Sequence, residues 1–116
     1  MGILYKVHNK LGSTRQEKHY QKAIEIELID QGIDFEREKR TILSYQNKKI
    51  GDYFVDFVVD GKVLLELKAK DFYALKDINQ VISYLKTLKL DLGILVNFRS
   101  ERSKYRRIIN PDISSN

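Results

Sequence analysis

Cysteine is absent from the sequence, which excludes both a disulfide framework and a zinc site built on thiolates. The two histidines, His8 and His19, stand too far apart in sequence to form a metal-binding motif. Any metal that the chain binds is therefore expected to be a hard cation held by the carboxylates of Asp and Glu.

Long apolar runs are missing as well. The N-terminal MGILYKVHNK has no apolar stretch long enough for a signal peptide, and no segment approaches the roughly 20 apolar residues of a membrane span. We therefore expect an intracellular, cytoplasmic protein without a membrane partner.

The composition is typical of a folded protein. With 116 residues, 42% hydrophobic and 32% charged, the chain is expected to form one domain over residues 1–116. Its net charge of +5 is compatible with an anionic partner such as nucleic acid. The clustered positive charge lies near the C-terminus at Arg99, Arg102, Lys104, Arg106 and Arg107. From charge alone, this segment is either a nucleic-acid-binding patch or a solvated strand.

Two helices are predicted in the N-terminal part of the chain. Apolar residues at helical spacing in ILYKVHNKL predict a short first helix. The segment STRQEKHYQKAIEIELIDQG predicts a second helix with Ser13 or Thr14 as its N-cap. The apolar stripe of this second helix should pack on a sheet.

The rest of the chain alternates between strands and a helix. Residues 33–70 show alternating periodicity with a turn signal at Asp60-Gly61, which predicts three antiparallel strands in a meander. Helical spacing returns in YALKDINQVISYLKTL, and LDLGILVNF predicts a buried strand that joins the sheet in parallel through a crossover. With KYRRIIN as an edge strand, the chain is expected to form an α/β or α+β sandwich.

The second hairpin carries charged residues on otherwise apolar strands. Its two wholly apolar rows must share the buried side of the sheet, which places Asp56, Glu66 and Lys68 together on the opposite side. The rows are Tyr53, Val55, Phe57 and Val59 in the first arm and Val63, Leu65, Leu67 and Ala69 in the second. Because a two-residue loop would separate the two carboxylates, we predict a three-residue loop over residues 59–61, a type I turn with a bulge and a left-handed glycine.

Two carboxylates and a lysine on neighbouring strands are costly to bury without a function. The functional hypothesis is a divalent-metal site with oxygen ligands from Asp56, Glu66 and the backbone carbonyl of Leu67, and with Lys68 beside the attacking water. The alternative is a surface salt bridge between Lys68 and one of the carboxylates. A triplet this short does not decide between them, but the mixed face and the hairpin geometry favour the site.

The arrangement of Asp56, Glu66 and Lys68 resembles the core of the PD-(D/E)XK nuclease superfamily and, more narrowly, the small bacterial proteins called the GxxExxY family. The resemblance extends from about Val7 to Ile109. Its pieces are VHNKLG, TRQEKHY, GIDFERE, KIGDYFVDFVV, LLELKA, INQVISYLK and LGILVNF.

Two further motifs carry the resemblance. Glu17 and Tyr20 match the Glu and Tyr of the motif that names the family, whereas Thr14 stands in the place of its glycine. Gln80 and Tyr84 match a Q-x-x-x-Y pattern of RecB-like nucleases, and their spacing puts both on one side of the third helix.

The resemblance implies a restriction-endonuclease-like fold of α-β-β-β-α-β type, in which helices flank a mixed sheet. It also implies hydrolysis of phosphodiester bonds with Mg²⁺ or Mn²⁺, on nucleic acid, with DNA favoured over RNA. The alternative is a catalytically silent nucleic-acid-binding or adaptor protein with the same fold, against which the intact triplet argues. Specificity would come from nucleic-acid structure, a homodimer or a partner protein.

Residue roles follow from the same resemblance. Asp56 and Glu66 would bind the metal, and Lys68 would orient or deprotonate the water. Glu17 would add a ligand or a supporting contact, unless it only caps its helix, and Gln80 would contact a phosphate or the lysine. Tyr84, as a packing residue at the edge of the site, and the basic segment would meet the nucleic acid.

Overall fold

Two helices precede a mixed sheet in the computed structural model, which describes residues 2–71, 74–99 and 104–113, with the backbone alone at residue 104. The helices are α1 (Gly2–Leu11), α2 (Glu17–Asp30) and α3 (Leu75–Leu88). The strands are β1 (Phe35–Tyr45), β2 (Lys48–Val59), β3 (Val63–Lys68), β4 (Leu92–Asn97) and β5 (Lys104–Ile109). This order of elements confirms the predicted fold class. None of the helices in these ranges is long and apolar enough to cross a membrane.

The five strands form one sheet in the order β1-β2-β3-β4-β5. Neighbouring strands are antiparallel except for β3 and β4, which are parallel. A parallel pair requires a crossover, and α3 provides it. The predicted meander, the crossover and the edge position of β5 are all confirmed.

Helices cover both faces of the sheet. The cluster on the side of α1 and α2 contains Leu4, Val7, Tyr20, Ile24, Leu28, Phe57, Leu65, Leu67, Ile94, Val96 and Phe98. The cluster on the side of α3 contains Val55, Val58, Leu64, Val81, Tyr84, Leu85, Leu95 and Ile108. The central strands β3 and β4 are therefore apolar on both faces, as expected for strands buried between two layers.

One predicted row of β2 is wrong. Val55 packs with the α3 cluster and Tyr53 lies against it, whereas Phe57 packs with the α2 cluster. The change of face occurs at Asp56, opposite which β1 is also irregular, because Glu38 has a φ of 53°. A left-handed residue interrupts the pleat, so strict alternation does not hold across it.

The predicted N-cap of α2 is also wrong. Helix α2 begins after Gln16, whose backbone N–H donates to Nδ1 of His19 at 3.3 Å. The preceding loop is held by the hydroxyl of buried Tyr20, which donates to the carbonyl of Gly12 at 2.6 Å and accepts from the N–H of Arg15 at 3.2 Å. This tertiary anchor keeps residues 13–15 out of the helix.

The loop between β2 and β3 contains three residues, as predicted, but lies one position later. Val59 pairs with Val63, so the loop is Asp60, Gly61 and Lys62. Asp60 and Gly61 both have positive φ, and the N–H of Lys62 donates to the carbonyl of Val59, as in a primed turn followed by an extra residue rather than a type I turn. Because the loop still has an odd number of residues, the relative phase of the strands is the predicted one.

Candidate active site

The two carboxylates lie where β2 and β3 separate. The regular ladder ends at the pair Phe57 and Leu65. Beyond it, the backbone N–H of Asp56 donates to Oε1 of Glu66 at 2.9 Å, and the N–H of Leu67 donates to Oδ2 of Asp56 at 2.8 Å. Each carboxylate thus replaces a ladder hydrogen bond and is fixed by the backbone of the opposite strand.

Both carboxylates are poorly solvated. Glu66 is 4% exposed. Burial, with the added negative charge of Asp56, raises the pKa of Glu66 to about 8, against the opposing effects of the Asp56 N–H and Lys68. Burial also raises the pKa of Asp56, while the N–H of Leu67 and the charge of Lys68 oppose it. Two like charges held together at low solvation favour the binding of a cation.

Glu17 lies at the first position of α2 and belongs to the same cluster of charges. Burial and the negative charge of Asp56 raise the pKa of its carboxyl, and Lys68 opposes them. Gln21 lies one turn further along α2, and its Nε2 donates to Oδ1 of Asp56 at 3.2 Å and to Oε1 of Glu17 at 3.4 Å. Since Gln16 is the N-cap, Glu17 does not act as the capping residue.

Sequence reasoning missed the contacts that hold Gln21. Arg37 of β1 donates from Nη2 to Oε1 of Gln21 at 3.3 Å and from Nη1 to Oε2 of Glu25 at 3.0 Å. Its guanidinium also lies over the ring of Phe57, 6.0 Å from the centroid. The available signal was a polar stripe on α2, because Glu17, Gln21 and Glu25 follow one another at four-residue spacing.

We predict that Gln21→Ala weakens Mn²⁺ binding about tenfold, because Oδ1 of Asp56 loses the hydrogen-bond donor that orients it. Calorimetric titration with Mn²⁺ measures the change. The matched control is Gln31→Ala, an exposed position at the C-terminal end of the same helix. Equal affinities for the two variants would show that Gln21 does not position the carboxylate.

Lys68 ends β3 beside the carboxylates. Its Nζ donates to Oε1 of Gln80 on α3 at 3.4 Å. One turn further along α3, Tyr84 is buried and packs on Tyr53 with ring centroids 5.2 Å apart. Burial and the charge of Glu66 raise the pKa of the Tyr84 hydroxyl. The structure therefore brings Gln80 to the lysine and places Tyr84 in the packing behind the site.

The basic residues near the C-terminus do not share one face. Arg99 donates from Nη2 to the carbonyl of Ala69 at 3.0 Å, which fastens it near the end of β3. Arg106 and Arg107 are exposed neighbours in β5, so their side chains project to opposite faces of the sheet. Arg102 and the side chain of Lys104 lie outside the described residues.

The donors fit a hard divalent cation. Within the described ranges, no group of three or more His, Cys, Asp or Glu side chains is arranged to hold a metal ion. Mg²⁺, however, is commonly bound by one or two carboxylates, with waters and substrate phosphates completing its coordination. Asp56 and Glu66 supply two such carboxylates at low solvation, so Mg²⁺ or Mn²⁺ suits the pair.

A comparison with protein families identifies the class. The family model of the PD-(D/E)XK nuclease superfamily matches residues 1–108. The chain belongs to this superfamily, which confirms the resemblance at that level.

A solved structure described as "Crystal structure of SSO0001" matches with a TM-score of 0.62 and 19% identity, over 81% of this chain and 50% of that one. At this identity the likeness concerns the fold, and the matched region spans half the length of that chain. A search of the curated proteins gave no significant match.

Proposed function

We propose that the protein is a metal-dependent nuclease that hydrolyses phosphodiester bonds in DNA or RNA. The observation that carries this proposal is made at the point where β2 and β3 separate, beyond Phe57 and Leu65. There the backbone N–H of Asp56 donates to the carboxylate of Glu66, and the N–H of Leu67 donates to the carboxylate of Asp56. Superfamily membership alone would not suffice, because one fold can host several functions. Two carboxyl groups held together at low solvation, with a lysine beside them, have little structural justification and fit the chemistry of the superfamily.

In this proposal Asp56 and Glu66, with the carbonyl of Leu67, hold Mg²⁺ or Mn²⁺. When bound, the ion supplies a Lewis acid for the phosphate and lowers the pKa of water. The ammonium group of Lys68 orients the attacking water and stabilises the negative charge that develops on the phosphate oxygens. The hydrogen bond with Gln80 limits the positions that this ammonium group can take.

Helix α2 supports the site from the other side. Gln21 donates hydrogen bonds to both Asp56 and Glu17, and Arg37 of β1 donates one to Gln21. Oδ1 of Asp56 is therefore held in place. The hydroxyl of Tyr20 anchors the loop before the helix and thereby fixes where Glu17 enters the site. Glu17 is then available as a further ligand or as a support for Asp56.

Within the superfamily we propose membership of the bacterial GxxExxY group. Glu17 and Tyr20 occupy the two side-chain positions of its motif, and the observed anchoring role of Tyr20 gives the tyrosine a physical purpose. Thr14 replaces the glycine of the motif, and it lies in the loop that Tyr20 holds. We further propose that the basic segment, including Arg99, Arg106 and Arg107, contacts the phosphate backbone.

The metal requirement tests the proposal. We expect the wild type to bind Mn²⁺ and Mg²⁺ and to cleave nucleic acid only when one of them is present, whereas Asp56→Asn loses both properties because its side chain is neutral and a poorer ligand. Calorimetry measures binding, and a cleavage assay on single- and double-stranded DNA and RNA measures activity.

Asp52→Asn is the matched control for this test, because Asp52 lies on the same strand and its ion pairs with Arg40 and Lys49 are at the surface. Folded wild type without metal-stimulated cleavage of any of the four substrates would reject the nuclease assignment. Salt-sensitive binding without cleavage would instead support a catalytically silent nucleic-acid-binding or adaptor protein.

A further inference from the structure

A cationic cavity opens next to the candidate site, between the end of β3 and the start of α3. Its volume is about 360 Å³. Its lining, as far as the chain is described, consists of Lys68, Lys70, Lys76, Asp77 and Gln80. Three ammonium groups and one carboxylate give this lining a net charge of about +2, as counted for ordinary ionisation.

The single carboxylate of the lining is already neutralised. Asp77 is 4% exposed and forms an ion pair with Nζ of Lys70, and it also accepts the N–H of Ala74 at 2.8 Å. Burial would raise the pKa of this carboxyl, but the hydrogen bonds with Lys70 and Ala74 bring it below its ordinary value. Lys70 is therefore held in a fixed orientation, and Asp77 is committed to a structural role.

The other two lysines lack the direct ion pair that Lys70 has. Neither Lys68 nor Lys76 forms an ion pair with a carboxylate in the described part of the chain. The cavity also adjoins the first turn of α3, where the positive end of the helix dipole favours an anion. Together these charges make the cavity a place for a ligand with negative charge.

The position of Lys68 links this cavity to the carboxylates. Lys68 lines the cavity, and its charge also acts on Asp56, Glu66 and Glu17. An anion in the cavity would therefore contact the same lysine that acts on the carboxylates, although neither Asp56 nor Glu66 lines the cavity. Lysines act on phosphates as point charges and do not need the planar geometry with which arginine binds carboxylates.

We propose that this cavity binds a phosphate group of the nucleic-acid substrate, adjacent to the phosphate that is cleaved. The proposal rests on the nuclease assignment made above for the identity of the ligand. It assigns Lys70 and Lys76 to substrate binding and gives Lys68 a contact with two successive phosphates. The phosphate is either an internal diester of the bound strand or a terminal monoester at its end.

Binding measured under conditions without cleavage distinguishes an internal phosphate from a terminal one. Fluorescence anisotropy in EDTA would compare a short single-stranded oligonucleotide with and without a 5′-phosphate, using the wild type, Lys76→Ala and Lys62→Ala. Lys76 is exposed and has no described polar partner, so its replacement should leave the fold intact, which a thermal unfolding midpoint verifies. Lys62 is the matched control, because it is an exposed lysine at the opposite end of β3.

We expect Lys76→Ala to weaken binding roughly three- to tenfold and to reduce the slope of log K against log salt by about 0.7, as for the loss of one phosphate contact. Lys62→Ala should bind like the wild type. Equal loss with both oligonucleotides assigns the cavity to an internal phosphate, and loss confined to the 5′-phosphorylated one assigns it to a terminal phosphate.

The proposal would be overturned if Lys76→Ala bound both oligonucleotides as tightly as Lys62→Ala does. It would also be overturned if the wild type bound neither oligonucleotide. A parallel cleavage assay with Mn²⁺ distinguishes this failure from that of the nuclease assignment. If the wild type cleaves nucleic acid but Lys76→Ala binds it normally, only the phosphate cavity is rejected. If binding depends on Lys76 but the protein has no nuclease activity, only the nuclease assignment is rejected.

Discussion

Lys68→Met should lower the cleavage rate by about 10² to 10⁴-fold while leaving Mn²⁺ binding largely unchanged. The charge of Lys68 acts on Glu17, Asp56 and Glu66 alike, and we assign its ammonium group to the water and to the charge that develops on the phosphate. Methionine retains an unbranched apolar stem of similar length, so the packing beside Gln80 should be preserved.

Single-turnover cleavage and calorimetric titration of the same samples separate the two effects. Lys62→Met, at the other end of β3, controls for the loss of one positive charge from the protein. Cleavage at the wild-type rate would remove Lys68 from the reaction. Loss of metal binding together with cleavage would instead indicate that Lys68 organises the carboxylates.

Glu66→Gln should make the metal-free protein more stable than the wild type at pH 9, by a few kcal/mol at most. Burial raises the pKa of Glu66 from its ordinary value of 4.5 to about 8. Between these two values the folded state binds more protons than the unfolded state, so the free energy of unfolding of the wild type falls as the pH rises. Glutamine is neutral throughout and can still accept the N–H of Asp56.

Urea unfolding in EDTA from pH 5 to pH 9 tests this prediction. The two proteins should have similar stability at pH 5, where Glu66 is protonated in the folded state, and should diverge towards pH 9. Glu36→Gln on β1 is the control, because that carboxylate is exposed. Parallel stability curves for wild type and Glu66→Gln would contradict the raised pKa of Glu66 in the folded state.

Metal should stabilise the two proteins to different extents. A divalent cation binds the ionised carboxylate, so Mn²⁺ should stabilise the wild type most at high pH and Glu66→Gln little at any pH. On this prediction, the same pair of carboxyl groups would account both for a cost to the metal-free fold and for an affinity for metal.

The sequence was sufficient to predict the succession of helices and strands. Periodicity depends on neighbouring residues, so the stripe of Tyr20, Ile24 and Leu28 indicated the buried face of α2. That Asp56 and Glu66 lie at neighbouring positions of the hairpin was also predictable, because the odd-numbered loop leads to the register that pairs Phe57 with Leu65. Asp56, Glu66 and Lys68 could thus be proposed together as a candidate site before their distances were known.

Other features depended on side-chain contacts and strand irregularities that periodicity does not reveal. The start of α2 at Glu17 follows from the hydroxyl of Tyr20, which fixes the loop that Ser13 and Thr14 occupy. The placement of Val55 against α3 follows from the irregular pairing at Glu38 and Asp56, which alternation alone could not indicate.

The sequence by itself determined the order of elements, the parallel crossover and the presence of Asp56, Glu66 and Lys68 on one hairpin, because local periodicity and the turn signal are sufficient for these. The tertiary structure alone decided that Gln21 and Arg37 support Asp56 and that Lys70 and Lys76 border a cavity beside Lys68. These side chains come from separate elements, so their contacts exist only after α2 and α3 have packed on opposite faces of the sheet.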